Sequence, residues 1–301
     1  MSRVRPHHKD YSALHTFGAV GFDPKGLPEN FSVYEGQEIP NQNAIDTRFS
    51  PAVRPLPLGC TAEAQTFGAL LQDGVLYPPD DLYFATPPGT DGTGRDLRAA
   101  LQTTVDYGFK LPDGRIGAKR EAYLNVYGAG KIDDFDATRT MIYLNFPIEK
   151  RVVSVGSFWY REFQEAANGT RVVKKQDGTY TKQDGTYTLE PGPRSPILPV
   201  PSFNTREAVA LHNWLVTGWK TIDGVVYAEV LAWEGEGYGD AGIVYMSREI
   251  FNALMQQPYT AAFVMTKLKG QTPVPLGLQV YVDHFVYWFK SLYPSLFGQL
   301  V

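Results

Sequence analysis

Two apolar runs, "LHNWLVTGW" and "VVYAEVLAW", flank the dipeptide Asp223-Gly224, and no other stretch constrains the fold as strongly. Asp-Gly between apolar runs rich in Val, Trp and Tyr is a turn between strands. "RVVSVGSFWY" at 151–160 supplies a further strand. Ahead of these lie helical signals. Cys60, Ala64, Phe67 and Leu71 recur at +4, +7 and +11, one face of a helix. "RDLRAALQTTVDYGF" reads as a second helix, entered from the loop "PPGTDGTG" and closed by Gly108. Helices early and strands late, without βαβ alternation, predict an α+β fold.

The remaining segments are less periodic. Residues 1–45 are rich in Gly, Pro and Asn and read as an extended arm laid over a larger body. "KQDGTYTKQDGTYT" at 175–188 is a tandem seven-residue copy whose Asp-Gly pairs suggest the turns of a projecting hairpin. The aromatic stretch "VYVDHFVYWFKSLYPSLFGQLV" reads as a helix packed on the domain, with a docking segment for a partner chain as the alternative. A net charge of −4 gives no basic footprint for nucleic acid. No run of 18 apolar residues predicts a membrane span, and "MSRVRPHHKD" leads into no secretory signal.

Cysteine occurs once in 301 residues, at the start of the first helix. Two readings are open. A lone cysteine is commonly a small buried hydrophobe. In the first helical turn, however, the dipole and the unpaired N–H groups favour thiolate, the nucleophilic form, which needs an imidazole to take its proton. Of five histidines, His7, His8 and His15 lie in the arm and His284 in the aromatic tail. His212 alone begins a core strand. Cysteine on an early helix and histidine on a late strand is a peptidase order.

Over most of residues 45–250 the chain resembles the papain-like cysteine peptidases of bacterial or viral type. "LGCTAEA" is similar to their Gly-Ser-Cys segment, "LYPPDDLYFAT" to the segment that follows, and "RVVSVGSFWYREFQ" to their Val-rich strand. "DGTGRDLRAALQTTVDYGF" resembles their Gly-rich loop and helix. "HNWLVTGWKTIDGVVYAEVLAWEGEGYGDAGIVYM" aligns without a gap on their histidine block, with Gly218, Gly235, Gly239 and Gly242 on its glycines. The resemblance implies a helical half carrying catalytic Cys60 and an antiparallel, barrel-like half carrying catalytic His212. It places Gly92, Gly94 and Trp214 along the substrate. Two supporting positions depart from the family. Its oxyanion glutamine falls on Arg54, or on Pro55 with one deletion, and its histidine-orienting asparagine falls on Ala232, where no hydrogen bond to the histidine is expected. The shielding tryptophan falls on Glu234, which points to the same side of a strand as position 232 and could reach His212 in its place.

The implied activity is peptide-bond hydrolysis on a peptide or protein substrate, with no cofactor and no metal. The alternative is an impaired papain-like fold serving as a structural or interaction component of a virion or other assembly. Partners would then bind the N-terminal arm and the C-terminal aromatic segment. The expected organisation is an arm (1–45), a peptidase domain (46–255) and an aromatic extension (256–301), in a cytoplasmic or virion-associated protein.

Overall fold

The structure, a computed structural model, describes residues 26–33, 59–75, 77–88, 94–111, 114–128, 132–144, 146, 149–172, 182–183, 186–205, 208–232, 238–266 and 268. Its helices are α1 (Cys60–Asp73), α2 (Pro79–Ala85), α3 (Leu97–Asp106), α4 (Asp134–Tyr143), α5 (Arg161–Asn168) and α6 (Arg248–Met255). Its strands are β1 (Phe31–Ser32), β2 (Phe109–Lys110), β3 (Ile116–Ala118), β4 (Tyr123–Asn125), β5 (Val152–Tyr160), β6 (Thr170–Val172) and β7 (Lys182–Gln183). They continue with β8 (Thr186–Tyr187), β9 (Leu189–Pro191), β10 (Ala208–Ile222), β11 (Val225–Leu231), β12 (Ile243–Ser247) and β13 (Ala261–Met265). The class is α+β, as the sequence predicts.

Local chemistry sets the boundaries. Asp96, Asp133 and Ser247 cap α3, α4 and α6 by accepting from Ala99, Asp136 and Ile250 N–H, each satisfying one orphan donor of a helix start. Asp223 and Gly224 are both left-handed, with φ of 50° and 77°, the backbone of the tight turn that matches strand twist. That turn joins β10 to β11.

The main sheet has seven antiparallel strands in the order β12-β11-β10-β5-β13-β4, with β1 added on β10. The helix α1 lies against it and is buried on nearly every side. Ala64, Phe67 and Leu71 join Val152, Val153, Val155 and Met265 in the main core. Ala62 and Ala69 face a second cluster with Tyr77, Leu82 and Phe109. At the far end of α1 the Gln72 amide donates to the Lys150, Met265 and Thr266 carbonyls and its oxygen accepts from buried Arg120. One helix is thereby tied to both halves.

Three expectations are refined. Helices do not stop where the strands begin, since α5 and α6 are interleaved with the sheet. β13, in the segment assigned to an extension, is the strand between β5 and β4, so the folded body runs past residue 255. Within the expected arm, Phe31 and Ser32 pair with Trp219 and Gly218, and Phe31 is buried among Tyr143, Phe146 and Trp219. β7 and β8 pair across residues 184–185, as a hairpin in the second KQDGTYT copy. The first copy, His284 and the aromatic tail lie outside the described residues.

Two predictions follow from how β1 is seated. A Cβ on Gly218 would come within 2.1 Å of the Phe31 carbonyl oxygen and 2.7 Å of Ser32 Cα. Both are backbone atoms, so Gly218→Ala pushes β1 off the sheet. The expected loss is about 1–3 kcal/mol of stability, read by thermal melting, with faster amide exchange at Phe31–Val33. The second concerns Glu229, whose buried carboxylate accepts from Ser32 Oγ at 2.6 Å and Thr217 Oγ1 at 2.9 Å. Burial raises its pKa, against the pull of those hydroxyls and of Lys220. A raised folded pKa gives stability that is complete below the unfolded value and is lost as pH rises through the folded one. Glu229→Gln keeps the acceptor oxygen and removes the charge. It should melt a few degrees above the parent at pH 7, with the difference closing towards pH 4.

Candidate active site

Cys60 is the first residue of α1. Gly59 precedes it with no side-chain cap, and the first ladder bond runs from Glu63 N–H to Gly59 O. The N–H groups of Cys60, Thr61 and Ala62 therefore have no partner within the helix, which leaves positive potential beside the sulfur.

The strand β10 carries His212 and, next to it, Asn213, whose main chain meets the start of α1. β10 pairs with β5 from Ala208 to Val216, but its ladder with β11 begins only at Leu215, opposite Leu231. His212 and Asn213 therefore stand on a stretch whose second edge has no partner from β11. The Asn213 backbone N–H reaches the Cys60 thiol, and the Thr61 hydroxyl and N–H lie against it. The Thr61 hydroxyl also donates to the Arg95 carbonyl at 3.0 Å, which draws the Gly94-Arg95 loop onto the helix start. Gly94 is left-handed there, with φ of 61°.

The imidazole is held by backbone. His212 Nε2 lies 3.2 Å from the Ala232 carbonyl oxygen. A carbonyl only accepts, so Nε2 carries the proton and the neutral ring keeps its lone pair on Nδ1. Position 232 was expected to offer His212 nothing. The side chain indeed offers nothing, but the main chain supplies the acceptor. Trp159 of β5 packs against the imidazole, ring centroids 5.3 Å apart, with Phe163 behind it at 5.2 Å. Sequence reasoning missed Trp159. Its signal was the strand register, which sets Ala210 opposite Trp159 and His212 opposite Ser157, placing the indole two positions along the same face.

Trp214 is corrected. It is fully buried, donates from Nε1 to Ser157 Oγ at 2.9 Å and packs on Phe251, so it is a core residue and lines no substrate path. Arg54, Pro55, Gly92, Glu234 and Gly235 lie outside the described residues.

The electrostatics differ from the expected ion pair. Burial pushes the Cys60 thiol above its ordinary range and the Glu63 carboxylate adds to the rise, while the Asn213 and Thr61 donors pull it back only in part. Burial drives His212 down to about 4, against the pull of the Ala232 carbonyl. At neutral pH the site holds a thiol and a neutral imidazole. The expected thiolate and imidazolium are not the resting state.

No family model matches the chain, and no curated protein matches it. Among solved structures it is similar to a recombinant stem bromelain precursor, at 13% identity over 84% of this chain and 75% of that one, with a TM-score of 0.49. It is also similar to the digestive procathepsin L2 proteinase of Tenebrio molitor larval midgut (14% identity, 80% and 68% covered, TM-score 0.49). A third is xylellain, a cysteine protease from Xylella fastidiosa (12% identity, 81% and 87% covered, TM-score 0.47). At such identity no residue's role transfers from them.

The depressed His212 pKa predicts an acid limit to stability. A folded value near 4 against about 6.5 in the unfolded chain leaves stability intact above 6.5 and removes it as pH falls through 4. His212→Gln removes that titration. Its melting temperature should fall less than the parent's between pH 6.5 and 4, and parallel curves would show that the ring is not held neutral.

Proposed function

We propose that the chain is a papain-like thiol hydrolase that cleaves peptide bonds, with Cys60 as nucleophile and His212 as base. The carrying observation is the fixed imidazole. The Ala232 carbonyl occupies Nε2–H and leaves Nδ1 as acceptor, and the next residue on the strand, Asn213, already touches the thiol.

The chemistry starts from the neutral pair. As a peptide carbonyl approaches, Nδ1 takes the thiol proton while sulfur bonds to the carbonyl carbon. The C=O electron pair moves to oxygen, where the Cys60 N–H at the uncapped helix start donates to it. The C–N bond then breaks, the imidazolium returns its proton to the leaving amine, and water hydrolyses the acyl-enzyme with His212 again as base. Glu63 and burial oppose the thiolate, so the enzyme is slow. One missing oxyanion donor costs about 10²–10³ in rate in a serine peptidase.

The same electrostatics favour a second reading, in which the fold persists as a structural or interaction module of an assembly and the thiol stays protonated. Turnover of a peptide library separates the two, with Cys60→Ala as the blank. The hydrolase reading expects slow, Cys60-dependent cleavage that falls on His212→Ala, with an acid limb near pH 4 where the imidazole charges. Iodoacetamide labelling of Cys60 should climb only in the alkaline range, because the resting thiol is protonated. Cleavage that survives Cys60→Ala, or none at any pH, removes the hydrolase reading.

A further inference from the structure

Between α1 and the sheet runs a buried polar chain that the reaction as described does not use. Gln65 Nε2, one turn beyond Cys60 on α1, donates to Ser154 Oγ of β5 at 3.1 Å. Ser154 Oγ donates in turn to Asn213 Oδ1 of β10 at 2.9 Å. The backbone N–H of that same Asn213 then returns to the thiol of Cys60. The loop is closed: it leaves α1 at residue 65, crosses two strands and re-enters α1 at residue 60.

All three side chains are nearly or fully excluded from water, and the arrangement is not the most stable one for that place. Gln65 Oε1 is buried with no donor, a desolvation cost that an apolar side chain of the same length would not carry. Ala64 and Phe67 beside it on α1, and Val152 and Leu215, which share the Ser154 face of the sheet, are apolar core. A role in packing alone would favour Leu or Met at position 65.

The strand edge explains what the loop achieves. Where β11 has no residue opposite Asn213, the peptide plane of residue 213 lacks the second ladder that would fix its tilt. The Ser154 hydroxyl anchors the carboxamide from below and sets that plane instead. We propose that Gln65 and Ser154 are positioning residues for the Cys60 nucleophile, acting through Asn213 to hold its backbone N–H on the sulfur. This rests on Cys60 being the nucleophile of the proposed hydrolase. The N–H donor strengthens as charge builds on sulfur, because a donor to an ionised acceptor is about twice as strong as one to a neutral acceptor.

The test is the pH profile of Cys60 alkylation by iodoacetamide in the full chain, where no second cysteine competes. Ser154→Ala and Gln65→Met each free the Asn213 plane, so the labelling midpoint should rise by roughly half a unit to one unit, the scale of one weakened hydrogen bond. Ser154→Thr keeps the hydroxyl and should restore the parent midpoint. Gln65→Met should melt at or above the parent temperature, which separates positioning from stability. If Ser154→Ala does not fold, Gln65→Met carries the test. Midpoints unmoved in folded variants overturn the proposal, whatever the turnover. A raised midpoint in a chain without turnover upholds the positioning and counts against the hydrolase alone. With turnover present, kcat should fall several-fold at unchanged KM.

Discussion

A mismatch in strand length governs this molecule. β10 runs for 15 residues and β11 for seven, and about half of β10, residues 208–214, is laddered by β5 alone. In the other half β11 holds one edge throughout, while the second edge passes from β5, whose ladder ends at Val216, to β1 at Gly218 and Trp219, where Phe31 packs on Trp219. The singly paired half turns main-chain groups outward, and an outward N–H in a partly buried place must find an acceptor. At Asn213 the acceptor is the sulfur at the start of α1. The nucleophile candidate thus sits where the sheet runs out of partners, and α1 must be central, buried on both sides, to put it there.

The same burial that fixes the geometry sets the protonation. Removing Cys60 and His212 from water penalises their charged forms, and among the described residues no opposite charge lies near enough to compensate. Thiolate at a helix start is favoured by the dipole, but that effect is modest, about 0.3–1 kcal/mol at exposed positions, and the Glu63 carboxylate opposes it. Desolvation wins. The pair is therefore neutral until something else lowers the cost of separating charge; in the proposed hydrolase reading that event is a substrate carbonyl receiving electrons from sulfur, with α1 N–H groups beside it.

Much of this was legible in the residues. The 3.6-residue recurrence from Cys60 to Leu71 and the Asp-Gly turn gave α1, β10 and β11, because burial patterns and turn chemistry are local. The polar chain left only a faint trace: Gln65 among the buried faces of an apolar helix, and Ser154 inside "VVSV". Such residues read as interruptions until the register shows that one faces the other. Trp159 beside His212 was hidden for the same reason, since proximity across a ladder is not written along the chain.

The orienting role of position 232 was illegible in a stricter sense. A search for an orienting side chain finds alanine and stops, yet every residue except its side chain is the same molecule, and a carbonyl oxygen is present at all twenty. What decides whether it can hold Nε2–H is only whether β11 ends in the right place, and Leu231 is its last residue. A backbone acceptor also differs in kind from an asparagine amide. It accepts and cannot donate, so it fixes a single tautomer, and the ring cannot be held in the reverse protonation. An imidazole can therefore be oriented without a polar side chain beside it, and an alanine at position 232 does not leave the His212 ring unheld.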